Sequence, residues 1–264
     1  MCRLLAYLGA PVQGDRLLLE PVHSLEVQSY QPKEMTAGLL NADGFGIGWY
    51  HPTKDDLPYT YKNLLPIWSD LNLPQISRSF ESHCVLAYVR SATPGLSVDL
   101  GNCQPFTEQK MMFIHNGYIN NFRQTLYRPI RSQLKDELYQ KIHGTTDSEH
   151  IFALILNQDL NQEKSPCQNN LKDAILATLK QLTELANLYK THFSANVVIS
   201  DGKKLWATRY AHNAPVPTLY FREDLGGITL ASEPLDDACW KSLPEQSLIT
   251  INENRDLHIE AIAY

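Results

Sequence analysis

The segments LKDAILATLKQLTELANL (171–188) and ANVVI (195–199) decide the fold class of this chain. In the first, apolar residues recur every three or four positions, which predicts a helix with one buried face. The second is a short run rich in β-branched residues, which is typical of a strand. The chain therefore combines helices and strands, and their order decides how the sheets are built.

Upstream of this helix the chain shows short β-type runs followed by one more helical segment. The runs FGIGWY (45–50), VLAYV (85–89) and MMFI (111–114) are each bounded by Gly, Asn or Pro. Apolar residues at helical spacing then occupy residues 148–156. Strands thus precede the two helices in the middle of the chain.

Downstream of the helices the pattern returns to strands. Asp201-Gly202 predicts a hairpin turn between the first two of them. The predicted strands are residues 195–199, 204–208, 218–221, 228–231, 248–251 and 257–262. Strands, then helices, then antiparallel strands favour sheets with helices on their outer faces, so we predict an α+β fold in the form of a four-layer αββα sandwich.

Length and charge limit the classes of partner. With 264 residues, of which 43% are hydrophobic, we predict a single domain over residues 1–264. The net charge is −6 without long blocks of one sign, which argues against a nucleic-acid or anionic-membrane partner. No apolar run approaches the roughly 20 residues that span a bilayer, and the N-terminus does not resemble a signal peptide, so we expect a cytoplasmic protein.

The five cysteines are scattered and form no C-x-x-C pair. We expect Cys84, Cys103, Cys167 and Cys239 to be reduced and chemically inert. The histidines show no metal-ligand spacing, so we predict neither a metal nor another cofactor. Cys2 differs from the other cysteines because of its position.

Removal of Met1 leaves Cys2 with a free α-amino group. Because the reference pKa of such a group is about 7.7–8.0, it can take the thiol proton near neutral pH, and the thiolate is the attacking species. Nucleophile and base then belong to one residue. By position alone the signal is weak, since any chain can begin with Met-Cys.

Arg90 follows the strand 85–89 and is itself followed by a turn. A guanidinium at a strand end can bind a carboxylate through two parallel hydrogen bonds, which Lys cannot do. The alternative is an ordinary ion pair with a surface carboxylate.

The segment FIHNGYIN (113–120) is a strand that runs into Asn116-Gly117. The dipeptide fits a tight turn, but it can also direct a side-chain amide and a backbone N–H at one point, as a tetrahedral oxyanion requires. His115 is a candidate general base by residue type. We expect it instead to pack beside the turn.

The segment TTDSE (145–149) has the composition of a helix N-cap. Capping alone accounts for the pattern. Asp147 is also placed to receive a substrate ammonium group.

Taken together and in order, these elements resemble the class II glutamine amidotransferases. The resemblance implies the fold of the N-terminal-nucleophile hydrolases, with Cys2 as the nucleophile and its α-amino group as the base. It further implies that Arg90 and Thr93 bind substrate, with Arg90 on the α-carboxylate, and that Asp147 binds the α-amino group. The oxyanion hole falls on the side chain of Asn116 and the N–H of Gly117.

The chain departs from many biosynthetic members of the family, in which Trp and His stand at the positions of Ser91 and Pro94. This difference affects how the glutamine pocket closes. The N-terminal segment and the segments NCQPF (102–106) and ASEPL (231–235) are instead similar to a stand-alone subgroup. That subgroup includes an ergothioneine-pathway amidohydrolase that removes glutamate from γ-glutamyl-hercynylcysteine sulfoxide.

Three functional classes stay open at this point. The first is a hydrolase that cleaves a small-molecule γ-glutamyl amide through a thioester. The second is a glutaminase subunit that supplies ammonia to a synthase. That synthase would have to be a separate protein, because no nucleotide or phosphate-binding motif follows residue 150. The third is a non-catalytic binding protein. Whether the chain forms a homo-oligomer is also open.

Overall fold

The computed structural model describes residues 2–35, 38, 40–54, 56–92, 98–161, 170–224 and 226–264. The strands are, in chain order, β1 Arg3–Gln13, β2 Phe45–Tyr50, β3 Pro58–Asn63, β4 Glu81–Val89, β5 Phe106–Glu108, β6 Met111–Ile119, β7 Phe193–Ser200, β8 Leu205–His212, β9 Tyr220–Asp224, β10 Gly227–Ala231, β11 Lys241–Ser242, β12 Ser247–Ile251 and β13 Leu257–Ala261. The α-helices are α1 Gly14–Leu18, α2 Leu25–Tyr30, α3 Leu73–Ser79, α4 Tyr127–Arg131, α5 Asp136–Tyr139, α6 Asp147–Asn161 and α7 Asn170–Leu188.

These strands form two antiparallel sheets. The first sheet has the order β11-β9-β10-β1-β4-β2-β3, and the second has the order β13-β12-β8-β7-β6-β5. β1 therefore lies in the interior of its sheet, paired on one side with β10 and on the other with β4. β6 pairs along its whole length with β7, whereas β5 covers only its first three residues.

Side-chain alternation along β1 divides the core into layers. Leu4, Ala6 and Leu8 point into an apolar layer between the two sheets, which also receives residues of β6, β8 and β12. Leu5 and Tyr7 point the other way, where α1, α2 and α3 cover the first sheet. The first sheet is thus buried on both faces.

The second sheet is covered in the same manner on its outer face. Phe113 of β6 and Ala195, Val197 and Ile199 of β7 pack against apolar side chains of α4 to α7. The layers therefore run helices, sheet, sheet, helices, and the predicted four-layer αββα sandwich is confirmed.

The two helices predicted from apolar periodicity, at 148–156 and 171–188, correspond to α6 and α7. The predicted hairpin turn joins β7 and β8, with Gly202 at a φ of +88°. Sequence reasoning assigned no element to β1. Its apolar run has no clean alternation because both of its faces are buried, and this removes the period-2 signal of a strand with one face in water.

No helix in the described part of the chain is long and apolar enough to cross a bilayer. The single domain over residues 1–264 and the cytoplasmic location stay predictions.

Candidate active site

Cys2 lies immediately before β1 and is almost fully buried. The last registered pairs of β1 with β4 are Arg3 with Val89 and Leu4 with Tyr88. One step further along this register, Cys2 stands opposite Arg90. Because cross-strand partners project on the same face, both side chains belong to the face that meets the second sheet.

Within the described part of the chain, the Cys2 sulfur has three polar contacts, made by two residues. The Tyr88 hydroxyl donates a hydrogen bond to Sγ at 2.6 Å, and the Ser91 N–H lies 3.4 Å from it. The Ser91 carbonyl oxygen is 3.6 Å from Sγ. The thiol therefore lies against the end of β4 and the residue Ser91 that follows Arg90.

Residues 90–92 are held by hydrogen bonds to Asp43 and Gly44. The Arg90 N–H donates to the Gly44 carbonyl at 2.8 Å, and the Asp43 N–H donates to the Arg90 carbonyl at 3.1 Å. Asp43 also accepts a hydrogen bond from the Ala92 N–H at 2.7 Å. Gly44 has a φ of +107°, a conformation that favours glycine. Asp43 and Gly44 thus hold the chain on which Arg90 is carried.

Asn116 and His115 are neighbours on β6 and therefore point to opposite faces. Asn116 follows Met112 and Ile114 on the side of the inter-sheet layer. His115 faces the helical layer, where its Nδ1 lies 2.9 Å from the Ser148 hydroxyl. Strand geometry directs His115 away from the layer that contains Cys2. The tight turn that the sequence favours at Asn116-Gly117 is not formed, because both residues lie within β6 and pair with Asn196 and Ala195 of β7.

Gly117 presents its backbone N–H at an open strand edge. The His115 N–H donates to the Gln104 side chain at 2.5 Å and the Ile119 N–H to Asp147 at 2.7 Å, both on the side away from β7. Since N–H directions alternate along a strand, the Gly117 N–H points to that same side. β5 pairs only as far as Phe113, so no described strand covers it. No described residue accepts a hydrogen bond from this N–H, so within the described structure it can bind an oxyanion.

Only glycine fits at position 117. A Cβ atom there would lie 2.0 Å from the Ser194 carbonyl oxygen. The residue type is therefore required by the close approach of β7, in addition to any role of its N–H.

Asp147 is the first residue of α6 and joins this helix to the end of β6. Its Oδ2 accepts from the Ile119 N–H at 2.7 Å, and its Oδ1 accepts from the Ser148 N–H at 2.9 Å. The capping contact to the Glu149 N–H is made by Thr146. Carboxylate oxygens have further acceptor capacity, so Asp147 can still receive an ammonium group.

Electrostatic effects connect these groups. The pKa of the Tyr88 hydroxyl lies well above its usual value, mainly because of burial and further because of the Cys2 and Asp147 charges. The positive charge of Arg90 lowers this pKa. Burial lowers the pKa of His115, and Asp147 opposes this effect. Tyr88 therefore lies within electrostatic range of Cys2, Arg90 and Asp147 together.

Ser232 connects the Cys2 strand with Asn116. Its hydroxyl oxygen accepts from the Leu4 N–H at 3.0 Å and lies 3.4 Å from Asn116 Nδ2. The Ser232 N–H in turn donates to the Leu4 carbonyl at 3.0 Å. The segment after β10 thus spans the gap between the two sheets beside Cys2.

Glu233, the next residue, forms a buried ion pair with Arg3. Arg3 Nε lies 2.8 Å from Glu233 Oε1, and both side chains are about 1% exposed. The second carboxylate oxygen accepts from His23 Nε2 at 2.8 Å and from the Lys33 N–H at 2.8 Å. Arg3 also donates to the Cys2 carbonyl at 2.9 Å. This ion pair anchors the backbone of Cys2.

The other described cysteines differ in environment from Cys2. Burial raises the pKa of the Cys84 thiol to about 12, and burial also raises that of Cys103. Cys239 is exposed. Within the described residues, no three His, Cys, Asp or Glu side chains are grouped to hold a metal ion. The absence of a metal and of another cofactor stays a prediction.

The structure brings Cys2, Arg90, Asn116 and Gly117 to the contact of the two sheets, with Asp147 at its border. Thr93 lies outside the described residues. Sequence reasoning missed Tyr88, although its spacing of two from Arg90 on a predicted strand places both on one face. It quoted Ser232 and Glu233 within a motif without assigning them a role.

Comparison with known proteins agrees with this architecture. Residues 1–220 match the family model described as class-II glutamine amidotransferases. The chain belongs to the class II glutamine amidotransferases. This membership confirms the resemblance drawn from the motifs.

Individual relatives cover nearly the whole chain. It is 32% identical over 260 residues to a γ-glutamyl-hercynylcysteine sulfoxide hydrolase of Mycolicibacterium smegmatis, covering 98% of each chain. A probable glutamine amidotransferase of Saccharomyces cerevisiae is 30% identical, over 96% of this chain and 82% of the yeast protein. A solved class-II domain protein of Silicibacter pomeroyi superposes with a TM-score of 0.74 at 25% identity, covering 100% of both chains.

The family and its relatives identify this class II amidotransferase as an amide-cleaving enzyme. The predicted enzyme class is confirmed, and the alternative of a non-catalytic binding protein is set aside. The roles of the individual site residues stay predictions.

The Arg3–Glu233 pair generates a prediction for stability. Glu233→Gln keeps the shape of the side chain but leaves the buried Arg3 guanidinium without a counter-charge, so the free energy of unfolding should fall by about 3–5 kcal/mol. Glu223→Gln is the matched control, because its carboxylate is exposed and lies 3.8 Å from Lys241. In urea unfolding, Glu223→Gln should lower the free energy of unfolding by less than about 1 kcal/mol.

The same ion pair makes stability depend on pH. Burial raises the pKa of Glu233, but the hydrogen bond from His23, the Lys33 N–H and the Arg3 charge together hold this pKa below its usual value. A carboxylate with a lowered pKa stabilises the fold above its unfolded pKa and loses this contribution as the pH falls through its folded pKa. The difference in free energy of unfolding between wild type and Glu233→Gln should therefore become smaller below about pH 4. A gap that is constant with pH would contradict the assignment.

Proposed function

We propose that this enzyme is an N-terminal-cysteine amidohydrolase that cleaves a γ-glutamyl amide through a thioester on Cys2. The observation that carries the proposal is the position of Cys2 and Asn116 on the facing sides of two sheets, with Ser232 between their strands. A nucleophile and an amide donor in one water-poor layer form an arrangement suited to acyl transfer. The low local dielectric strengthens each hydrogen bond to the reacting atoms.

The first half of the reaction forms the thioester. After removal of Met1, the α-amino group of Cys2 takes the thiol proton, and the thiolate attacks the γ-carbonyl carbon. Negative charge moves onto the carbonyl oxygen, where the Asn116 amide and the outward Gly117 N–H donate to it. The C–N bond then breaks, and the amine leaves with the proton held by the α-ammonium group.

The second half releases glutamate. A water molecule gives one proton to the α-amino group and attacks the thioester carbon. The second tetrahedral oxyanion uses the same two donors. When it collapses, the C–S bond breaks and the electron pair returns to the Cys2 sulfur.

The glutamyl half of the substrate supplies two charged groups for binding. Arg90, whose backbone is fixed on both sides by Asp43 and Gly44, would bind the α-carboxylate. Asp147 would bind the α-ammonium group. Each amide that shares the γ-glutamyl group is then held in the same manner, so these two residues do not distinguish between leaving groups.

Selectivity for the leaving group must arise at the mouth of the site. Ser91, whose N–H lies 3.4 Å from the Cys2 sulfur, stands where many biosynthetic relatives have Trp. A small residue there leaves space for an amine larger than ammonia. The names of the mycobacterial relatives support γ-glutamyl-hercynylcysteine sulfoxide, or a related γ-glutamyl compound, as the substrate.

The nucleophile is tested by substitution and labelling. Cys2→Ala should abolish turnover with the fold intact, and Cys2→Ser should retain weak activity because a hydroxyl ionises far less readily. Cys84→Ala is the matched control, since it removes a buried thiol from the same apolar layer. We expect it to lower stability while kcat is kept. Labelling by diazo-oxo-norleucine at any cysteine other than Cys2 would reject the assignment.

The oxyanion hole is tested at Asn116. Asn116→Ala should lower kcat by about 10²–10³, the scale for losing one oxyanion donor, with little change in KM. Asn157→Ala serves as control, because Asn157 is a buried amide of α6 that bonds to Lys135 and Gln133. It should affect unfolding only. An equal fall in kcat for the two variants would point to general destabilisation instead.

The substrate class is tested by steady-state kinetics. We expect kcat/KM for γ-glutamyl-cysteine conjugates, including the hercynylcysteine sulfoxide, to exceed the value for glutamine. A preference for glutamine, particularly one raised by adding a candidate synthase, would favour the ammonia-supplying alternative.

Intact mass should show that Met1 is absent from the active protein.

A further inference from the structure

Among the described residues, the Tyr88 hydroxyl is the nearest polar partner of the Cys2 sulfur. It donates to Sγ at 2.6 Å, whereas the Ser91 N–H and carbonyl oxygen lie 3.4 and 3.6 Å away. Both side chains are at most 9% exposed. Water therefore has little access to this contact, and a hydrogen bond to a charged acceptor is strong in such surroundings.

The backbone holds the hydroxyl in place. Tyr88 lies on β4, which is paired on one side with β1 and on the other with β2. It stands directly opposite Leu4 and projects into the inter-sheet layer beside Cys2. A side chain on an interior strand keeps its geometry better than one on a loop.

The phenol stays protonated at working pH. Burial, the Cys2 charge and Asp147 raise the pKa of Tyr88 well above its usual value, and the opposing charge of Arg90 does not cancel this effect. Tyr88 is therefore a donor throughout and does not act as a base. Its hydrogen bond gains most when the sulfur carries a negative charge.

We propose that Tyr88 is a catalytic residue whose hydroxyl stabilises the Cys2 thiolate by donating a hydrogen bond to it, an inference that rests on the proposed function. The thiolate occurs twice in the cycle. It forms when the α-amino group takes the thiol proton, and it forms again when the C–S bond of the second tetrahedral intermediate breaks and the electron pair moves to sulfur. The phenol proton stays on Tyr88 in both steps.

Among the described residues, the charged groups that act on this contact are Arg3 on β1, Arg90 after β4 and Asp147 on α6, beside the α-amino group of Cys2 itself. Glu233 neutralises Arg3 through the buried ion pair. Asp147 and Arg90 act on Tyr88 with opposite signs. Substitution of Tyr88 leaves all of these groups in place, so a change in the reactivity of Cys2 can be assigned to the hydroxyl.

The test is the pH dependence of Cys2 alkylation by iodoacetamide, with the labelled peptide identified by mass spectrometry. In Tyr88→Phe we expect the midpoint of the profile to rise by about one to two pH units, and the rate at pH 7 to fall by about 10- to 100-fold, since a bond to a charged acceptor is lost. With substrate, kcat should fall while KM changes little.

Tyr50→Phe is the matched control. Tyr50 is buried in the same inter-sheet layer, and its hydroxyl donates to the Lys110 and Ser200 carbonyls. Its loss should lower thermal stability without moving the alkylation profile. A comparable shift in Tyr50→Phe would overturn the inference, because it would show that any lost hydroxyl in this layer has the effect.

Site-specific 3,5-difluorotyrosine at position 88 gives a second measurement that does not depend on the folding of Tyr88→Phe. A more acidic phenol is a stronger donor, so the midpoint should move downward. Unchanged profiles in both proteins, with label still on Cys2, would overturn the role of Tyr88 and leave the proposed function standing. A wild-type enzyme that keeps full activity after Cys2 has been alkylated completely would overturn both.

Discussion

The antiparallel pairing of β1 with β4 is the constraint on which the rest of the site depends. It fixes Cys2, at the start of one strand, against Tyr88 and Arg90 at the end of the other. A slip of one residue would turn Tyr88 and Arg90 to the helical face and bring Val89 toward the second sheet. Such a slip is opposed because the layers on the two faces of β1 are both apolar and closely filled. Core packing and site geometry are therefore set by one register.

The Arg3–Glu233 pair shows how the end of this strand is held. A strand terminus normally frays, yet Cys2 must keep its place relative to Asn116. Glu233 receives Arg3, His23 and the N–H groups of two loop residues, and Arg3 binds the Cys2 carbonyl. Burying a charged pair costs desolvation energy. In this chain the Arg3–Glu233 pair holds the backbone beside the Cys2 sulfur in a fixed position.

The sequence predicted the layers of the αββα sandwich better than it predicted the contacts among the site residues. Periodicity gave α6 and α7, and the later strands were predicted from short runs of β-type residues even where, as in β7 and β10, the strand is buried on both faces. β1 escaped because its run shows no alternation, and its pairing with β4 and β10 joins residues at least 68 positions apart. The order of motifs indicated Cys2, Arg90, Asn116 and Asp147, whereas the contact of Tyr88 with Cys2 depends on the register of β1 and β4. Ser232 and Glu233 depend on contacts across more than 200 residues, which no local pattern records.

The open edge of β6 explains why a strand can serve as part of the site. β5 is only three residues long, and its pairing ends at Phe113. Beyond it the edge of β6 is covered by side chains, with Gln104 bound to both the N–H and the carbonyl of His115, and Asp147 bound to the N–H of Ile119. A longer β5 would have consumed the N–H of Gly117 as an ordinary ladder hydrogen bond. The short strand thus leaves one fixed backbone donor between two satisfied ones, at the border of the layer that contains Cys2. A donor held in this manner does not need to reorganise when charge develops on a substrate oxygen.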